Sequence, residues 1–213
     1  MPTQTYRTKA GKRVPGVTTV ISQNLGWNNR ALMIWANREG MEGRDINQRA
    51  EEAASIGTCA HAMIEADLKG VDFDQSLYPK EILDKAETAF LAWLEWKDFF
   101  ELKSIHSEVP LVSETYEYGG CLDIATIKKV RSLIDLKTAS GTYEDHLIQL
   151  AAYGKLWEEN NPDDPIRAYY LLRLGKEDGS FHYHYYPDLT VCWEVFQNLL
   201  AIHKTHNAIK KML

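Results

Sequence analysis

The chain has 213 residues, 24 Lys and Arg against 30 Asp and Glu, a formal net charge of −6, and 45% hydrophobic with 25% charged residues. That balance is ordinary for a globular domain with a sizeable core, and the length fits one domain spanning residues 1–213. No apolar run approaches the roughly 18–20 residues needed to cross a bilayer, and Met1–Val14 contains no apolar signal core. Three scattered cysteines (Cys59, Cys121, Cys192) point to reduced thiols in a cytoplasmic setting and exclude a metal site of four cysteines.

The charge is unevenly spread. Residues 1–50 hold eight Lys and Arg against three acids, a net of +5, so the remainder carries −11. A basic N-terminal segment can contact phosphates while acids elsewhere supply chemistry; the plainer reading is a solvated basic arm.

Taken in chain order, residues 14–22 read as a short extended or capping segment. Residues 28–39 read as a helix with Leu32, Trp35 and Ala36 facing inward. Gly57–Leu68 reads as a helix ended by Gly70, and Pro79 opens a long helix with Ile82, Leu83, Ala86, Phe90, Trp93, Leu94 and Phe100 at helical spacing. Ile105–Val112 reads as a strand. A hairpin follows, with arms Gly119–Ile127 and Ser132–Thr138 split by the charged run Lys128-Lys129-Val130-Arg131. Next come a helix over about Tyr143–Glu159 and a second hairpin, Ile166–Leu174 with Ser180–Tyr186, whose Phe181, Tyr183 and Tyr185 form a packed face. The last helix, Thr190–Leu213, places Val191, Val195, Leu199, Ile202 and Ile209 inward. This order indicates an α/β or α+β domain with a central mixed sheet flanked by helices.

The first hairpin carries the chemistry. Side chains alternate faces along a strand. A register with Leu122 opposite Leu136 and Ile124 opposite Ile134 puts four aliphatics on one face. The same register sets Asp123 opposite Asp135 on the other face, with Lys137 one step along. A slip of one residue would break the apolar pairing. Facing carboxylates repel unless a cation lies between them, and hard divalent cations take oxygen ligands. Such an ion polarises a phosphoryl oxygen and acidifies water, and a lysine beside it offsets charge growing on a phosphate. The plainer reading is an exposed hairpin face with a weak ion pair.

Other groups lie within reach of this hairpin. His61 and Glu65, four apart on one helix, share a face, so His61 can ligate a metal and Glu65 can orient it. Gln149 and Tyr153 are four apart on the helix after the hairpin and can hydrogen-bond a phosphate or the lysine. Glu108, on the strand feeding the hairpin, is an accessory acid. His182 and His184 lack a neighbouring Cys or acid and read as structural.

The order Gly57-x3-His61-x3-Glu65, Gly120-x2-Asp123, Asp135-Leu136-Lys137-Thr138 and Gln149-x3-Tyr153 resembles the RecB-like exonucleases of the PD-(D/E)XK superfamily, of the phage and mitochondrial genome-maintenance types. Val14-Pro15-Gly16-Val17-Thr18-Thr19 is similar to a Pro-x-Val-Thr stretch near the start of such chains. The likeness runs from about residue 14 to 200. It implies a restriction-endonuclease-like core in which His61, Asp123, Asp135 and the Leu136 carbonyl hold one or two Mg²⁺ or Mn²⁺ ions. It further implies Lys137 as the residue that positions the attacking water, and Gln149 and Tyr153, with Thr138, as groups that hold DNA and the lysine. No iron–sulfur cluster is expected, and no ATP, since Gly-x4-Gly-Lys-Ser/Thr is absent. Implied partners are DNA, with single-stranded ends favoured, and a single-strand annealing or binding protein; no membrane is implied. The implied setting is DNA recombination and repair in a bacterial or phage-infected cell.

The expected function is therefore a metal-dependent DNA exonuclease, with Trp27, Trp35, Tyr116, Tyr118 and Tyr143 as candidates for stacking on bases. The alternatives are a structure-specific endonuclease on the same fold, or a DNA-binding or assembly module without turnover. The intact Asp123, Asp135, Lys137 set argues against the last.

Overall fold

The computed structural model describes residues 4–127 and 130–213. Strands β1 (Tyr6–Arg7) and β2 (Arg13–Val14) form a small antiparallel pair, followed by helices α1 (Val17–Asn24), α2 (Asn29–Met41), α3 (Ile46–Lys69) and α4 (Lys80–Phe100). The main sheet is built from β3 (Lys103–Ser113), β4 (Tyr118–Ile127), β5 (Arg131–Lys137), β6 (Ala168–Leu174) and β7 (Phe181–Tyr186). Helix α5 (Glu144–Asn160) connects β5 to β6, and α6 (Thr190–Lys210) follows β7.

The strands lie in chain order, β3-β4-β5-β6-β7, with β5 and β6 parallel and every other pair antiparallel. The parallel pair needs a crossover, which α5 supplies. Helices cover both faces. Val17, Val20 and Ile21 of α1 join Leu150, Leu156 and Trp157 of α5 and Phe196 and Leu200 of α6 in one core. Ile56 and Ile64 of α3 join Trp93, Trp96 and Phe100 of α4 and Leu172 of β6 in the other. The expected mixed sheet flanked by helices is the fold observed.

Several local expectations need correction. Residues 14–22 are mostly helical: Gly16 is the N-cap of α1, and Val17, Val20 and Ile21 recur at helical spacing on its buried side. Burial of that stripe outweighs the weak helix propensity of valine and threonine. Helix α2 is present, but Leu32 is 56% exposed and only Glu39 is buried. Its attachment is ionic, with Glu39 Oε2 accepting from Arg44 Nε at 2.6 Å and Arg49 Nη1 at 3.0 Å. Helix α3 begins eleven residues earlier than Gly57, capped by the Asp45 carboxylate on Asn47 and Gln48 N–H. In α6 the buried stripe is Trp193, Phe196, Leu199, Leu200 and His203, while Val191, Ile202 and Ile209 are exposed. Two aromatic anchors there bury more area than the aliphatics they displace.

The β4–β5 hairpin has the expected register, with Ile124 paired to Ile134; Lys128 and Lys129 of its turn lie outside the described residues. The four aliphatics do not share one face, however. Leu122 packs in the α1/α5/α6 core, whereas Ile124, Ile134 and Leu136 pack in the α3/α4 core. Opposite this step, between the pairs Ser107–Ile124 and Val109–Leu122, Glu108 has φ 48°. A left-handed residue interrupts the period-two alternation, so side chains on either side of it need not follow one face. Nor is the hairpin face solvated: β5 pairs with β6 on its second edge, and Ser132 through Leu136 are all buried.

Candidate metal and active site

The site lies at the end of the β4–β5 ladder, where the strands separate. The Asp123 carboxylate takes over there as acceptor, Oδ2 receiving the Leu136 backbone N–H at 2.7 Å. This bond satisfies a strand N–H that has lost its ladder partner and fixes the carboxylate, leaving Oδ1 for other work. Oδ1 lies 3.6 Å from His61 Nδ1, and Glu108 Oε1 lies 3.8 Å from the same nitrogen. His61 comes from the middle of α3, and Glu108 is aimed by its left-handed backbone on β3. Ligand atoms of His61, Glu108 and Asp123 all lie within 4.8 Å of one another.

Asp135 stands beside this trio, 1% exposed. Its Oδ1 accepts from Gln149 Nε2 at 3.3 Å, and its Oδ2 is 2.7 Å from Lys137 Nζ. Oδ2 is closed to solvent and has that ammonium as its ion-pair partner. Gln149 is the hub of the α5 side: its Oε1 accepts from Lys137 Nζ at 3.4 Å, and its Nε2 also reaches Tyr153 Oη at 3.1 Å. Helix α5 comes this close because β4 presents a glycine. A Cβ on Gly120 would sit 2.5 Å from Tyr153 Cε1 and 3.0 Å from Leu156 Cδ1.

The electrostatics are those of crowded anions. Burial raises the Asp123 carboxyl, with Glu108 adding to it, against the pull of His61 and Lys137. Burial likewise holds Asp135 at about 6, where the Lys137 ammonium opposes it and Asp123 reinforces it. Burial alone would lower His61, yet the Asp123 and Glu108 carboxylates outweigh it and push the imidazole up to about 9. Burial also works against the Lys137 ammonium, but Asp135 and Asp123 raise it above the usual lysine value. Three carboxylates face the Lys137 ammonium and a protonated His61, an excess of one negative charge that becomes two when His61 gives up its proton to serve as a ligand.

Of the residues singled out in the sequence, His61, Asp123, Asp135, Lys137, Gln149, Tyr153 and Glu108 come together. Leu136 and Thr138 line the adjoining cavity. Glu108 is more than an accessory, since it completes the trio with His61 and Asp123. Asp135 instead turns toward Lys137 and Gln149, as repulsion from Asp123 favours. Glu65 does not orient His61: it ion-pairs with Lys69 one turn along α3. Tyr118 is no stacking candidate, being fully buried with its hydroxyl donating to the Ala152 carbonyl at 2.9 Å. Trp27, Tyr116 and Tyr143 are exposed. His182 and His184 lie outside any metal-ligating group among the described residues.

One participant was missed. Cys121 Sγ donates to Glu108 Oε2 at 3.4 Å, and burial, followed by the Glu108 charge, pushes its thiol up to about 12, so it stays a donor. Its two-residue spacing from Asp123 was the available signal, readable only once β3 is known to lie alongside.

No family model matches the sequence, and no curated protein does. Among solved structures, the chain is similar to a protein described as "Putative exonuclease" from Eubacterium rectale, with a TM-score of 0.53 and 15% identity over 80% of this chain and 73% of that one. The protein SSO0001, also at 15% identity, covers 71% of this chain and 74% of its own but reaches a TM-score of only 0.36 and carries no weight. At such identity the first likeness speaks to architecture. The chain shares with the Eubacterium rectale protein a mixed sheet flanked by helices.

Proposed function

We propose that this chain is a metal-dependent nuclease of the RecB-like, PD-(D/E)XK kind, acting as a DNA exonuclease on single-stranded ends in recombination or repair. The observation that carries this reading is the convergence of His61, Glu108 and Asp123 next to the buried Asp135–Lys137 pair. The name borne by the Eubacterium rectale protein of similar fold agrees with it.

The donor set suits a divalent cation. Carboxylate oxygens with a single imidazole match Mg²⁺ or Mn²⁺, and the excess negative charge matches one such ion. The Asp135 carboxylate beside the trio is a further oxygen donor. His61, Glu108, Asp123 and Asp135, with the Leu136 carbonyl, would hold it. Bound there, the ion supplies Lewis acidity toward a phosphoryl oxygen and lowers the pKa of water. Lys137, held by Asp135 and Gln149, orients the water for in-line attack on phosphorus and offsets charge on the non-bridging oxygens. As the new P–O bond forms, the attacking water gives up a proton to solvent, the P–O bond opposite breaks, and the leaving oxygen takes up a proton from solvent. Gln149 and Tyr153 keep the ammonium in place.

On this reading the whole chain is one nuclease domain. Supporting that, α1 is buried against α5 and α6, and the ring of Tyr6 lies over Gly119 of β4. The basic segment 1–50 would flank the DNA path, where α2 leaves Arg30 and Arg38 exposed.

The test is cleavage of end-labelled single- and double-stranded DNA with Mg²⁺ or Mn²⁺ by the parent protein, Asp135→Ala and Lys137→Ala. Mononucleotides or short oligomers from the parent, and at least a hundredfold loss in both variants, are expected. Unchanged activity in both variants would remove the site. Defined internal cuts would make the enzyme an endonuclease, and no cleavage with any metal would leave a binding module.

A further inference from the structure

Beside the metal-ligating trio lies a cavity of about 470 Å³, in the range that takes small ligands. His61, Glu108 and Lys137 form one side of it. One turn and more before His61 on α3, Ala53, Ala54 and Gly57 line it with small side chains. Lys176, from the β6–β7 turn, completes the lining.

Lys176 is half-buried, and it makes no hydrogen bond or ion pair with the described residues. Glu52, which feels its charge, is already committed to Lys85 at 2.8 Å. With its stem packed on the cavity rim and its ammonium unpaired among the described residues, this lysine is free to meet an anion that arrives from outside.

The turn presenting it is tightly built. Gly175 N–H donates to the Ser180 carbonyl at 2.7 Å, and Gly179 N–H donates to the Gly175 carbonyl at 3.1 Å. Asp178 accepts from Ser180 N–H at 3.1 Å and Ser180 Oγ at 2.8 Å. A Cβ on Gly175 would fall 1.9 Å from Asp178 Oδ1, so a larger residue there would displace the carboxylate that helps close the turn. Lys176 is thus presented by a hydrogen-bonded turn.

We infer that Lys176 binds a backbone phosphate of the substrate strand, neighbouring the phosphate under attack. This rests on the nuclease reading and adds to it how the strand is held. The cavity lining includes no Phe, Tyr or Trp. Recognition here is of the sugar–phosphate backbone, independent of base sequence and sensitive to salt.

The experiment is fluorescence anisotropy of labelled oligothymidylate and oligouridylate, without divalent metal, at several salt concentrations. Parent, Lys176→Ala, Lys176→Gln, Lys176→Arg and the distant control Lys211→Ala are compared, with thermal melts to verify folding. Removal of the charge is expected to weaken binding roughly tenfold and to lower the salt slope by about 0.7. Arginine is expected to restore both, and Lys211→Ala to change neither. A loss on either kind of strand bears the inference out, and an equal loss on both assigns it to phosphate rather than sugar. Parent-like affinity and slope in both neutral variants would overturn the role of Lys176 while leaving the nuclease standing. A parent protein that binds neither oligonucleotide would overturn both.

Discussion

Asp123 serves two roles that one pair of substitutions separates. Its Oδ2 accepts the Leu136 N–H at 2.7 Å, a structural bond, and its charge belongs to the trio with His61 and Glu108. In Asp123→Asn the amide oxygen still accepts that N–H, while the charge is gone. Because burial already raises the Asp123 carboxyl, losing the charge removes a penalty in the metal-free protein, which should melt no lower than the parent. Asp123→Ala orphans the N–H of buried Leu136, costing about 1–3 kcal/mol, or about 2–12 °C at 2–4 °C per kcal/mol for a chain of this size. Metal acts in the other direction. At a free concentration of a hundred times Kd, binding to the folded state adds about 2.7 kcal/mol, equivalent to about 5–11 °C. Thermal melts in EDTA and in saturating MgCl₂ or MnCl₂ should show that gain in the parent and neither variant, with Asp123→Ala alone lowered in EDTA. A parent protein indifferent to both metals, or an Asp123→Asn protein that keeps the full shift, would refute the reasoning.

Three further outcomes follow from the same structure. Lys137→Met leaves Asp135 buried without its counter-charge and should cost about 3–5 kcal/mol in urea unfolding, most of it recovered in Lys137→Met/Asp135→Asn; a single variant as stable as the parent would contradict the buried pair. Gly120→Ala drives a methyl into Tyr153 and Leu156 and should destabilise by about 1–3 kcal/mol while displacing α5, lowering cleavage as well as the melting temperature. His203, 8% exposed and held by Asn24 at 3.2 Å and Asn207 at 3.0 Å, is lowered by burial and then by His206 and Lys210. A depressed folded value means its contribution is intact above the unfolded pKa of about 6.5 and is lost as pH falls through the folded value. Urea midpoints of the parent should therefore fall faster than those of His203→Gln between pH 7.5 and 5.5, and parallel curves would dismiss the effect.

The architecture bears on how the site is held. Its groups come from α3, β3, β4, β5 and α5, and each is aimed by a local device. Asp123 is aimed by a substitute ladder bond, Glu108 by a left-handed backbone with a thiol donor, and Lys137 by Asp135 and Gln149. The anionic excess is thus built into buried strands flanked by two cores and costs stability in the absence of a cation. That cost links folding to metal in the melts above.

Within the sequence, the register of the β4–β5 hairpin was legible because Ile124 and Ile134 must pair for both to be buried. Asp135, Lys137, Gln149 and Tyr153 were legible as a group because spacings of two on a strand and four on a helix already place them on shared faces. The termini of α4 and α5 were legible too, from Pro79 and from the polar start after Tyr143. The stripes of α2 and α6 were legible only in part, since periodicity identifies a helix without saying which neighbour it meets. In α2 Trp35 and Ala36 are half-buried while Leu32 is exposed, and α6 buries Leu199 as expected but turns Trp193 and Phe196 toward α1 and α5 in place of Val191, Ile202 and Ile209.

What the chain determined by itself was the set of elements and the chemistry available to each, because both depend on contacts within a few residues. Only the tertiary structure decided that Glu108 rather than Glu65 joins His61, that Asp135 turns to Lys137, and that Lys176 lines the same cavity. Those choices depend on residues far apart in the chain, such as His61, Glu108, Asp123 and Lys176, being brought to one sheet end. No local pattern encodes which of several nearby carboxylates will face a given histidine until burial and repulsion among them have been settled together.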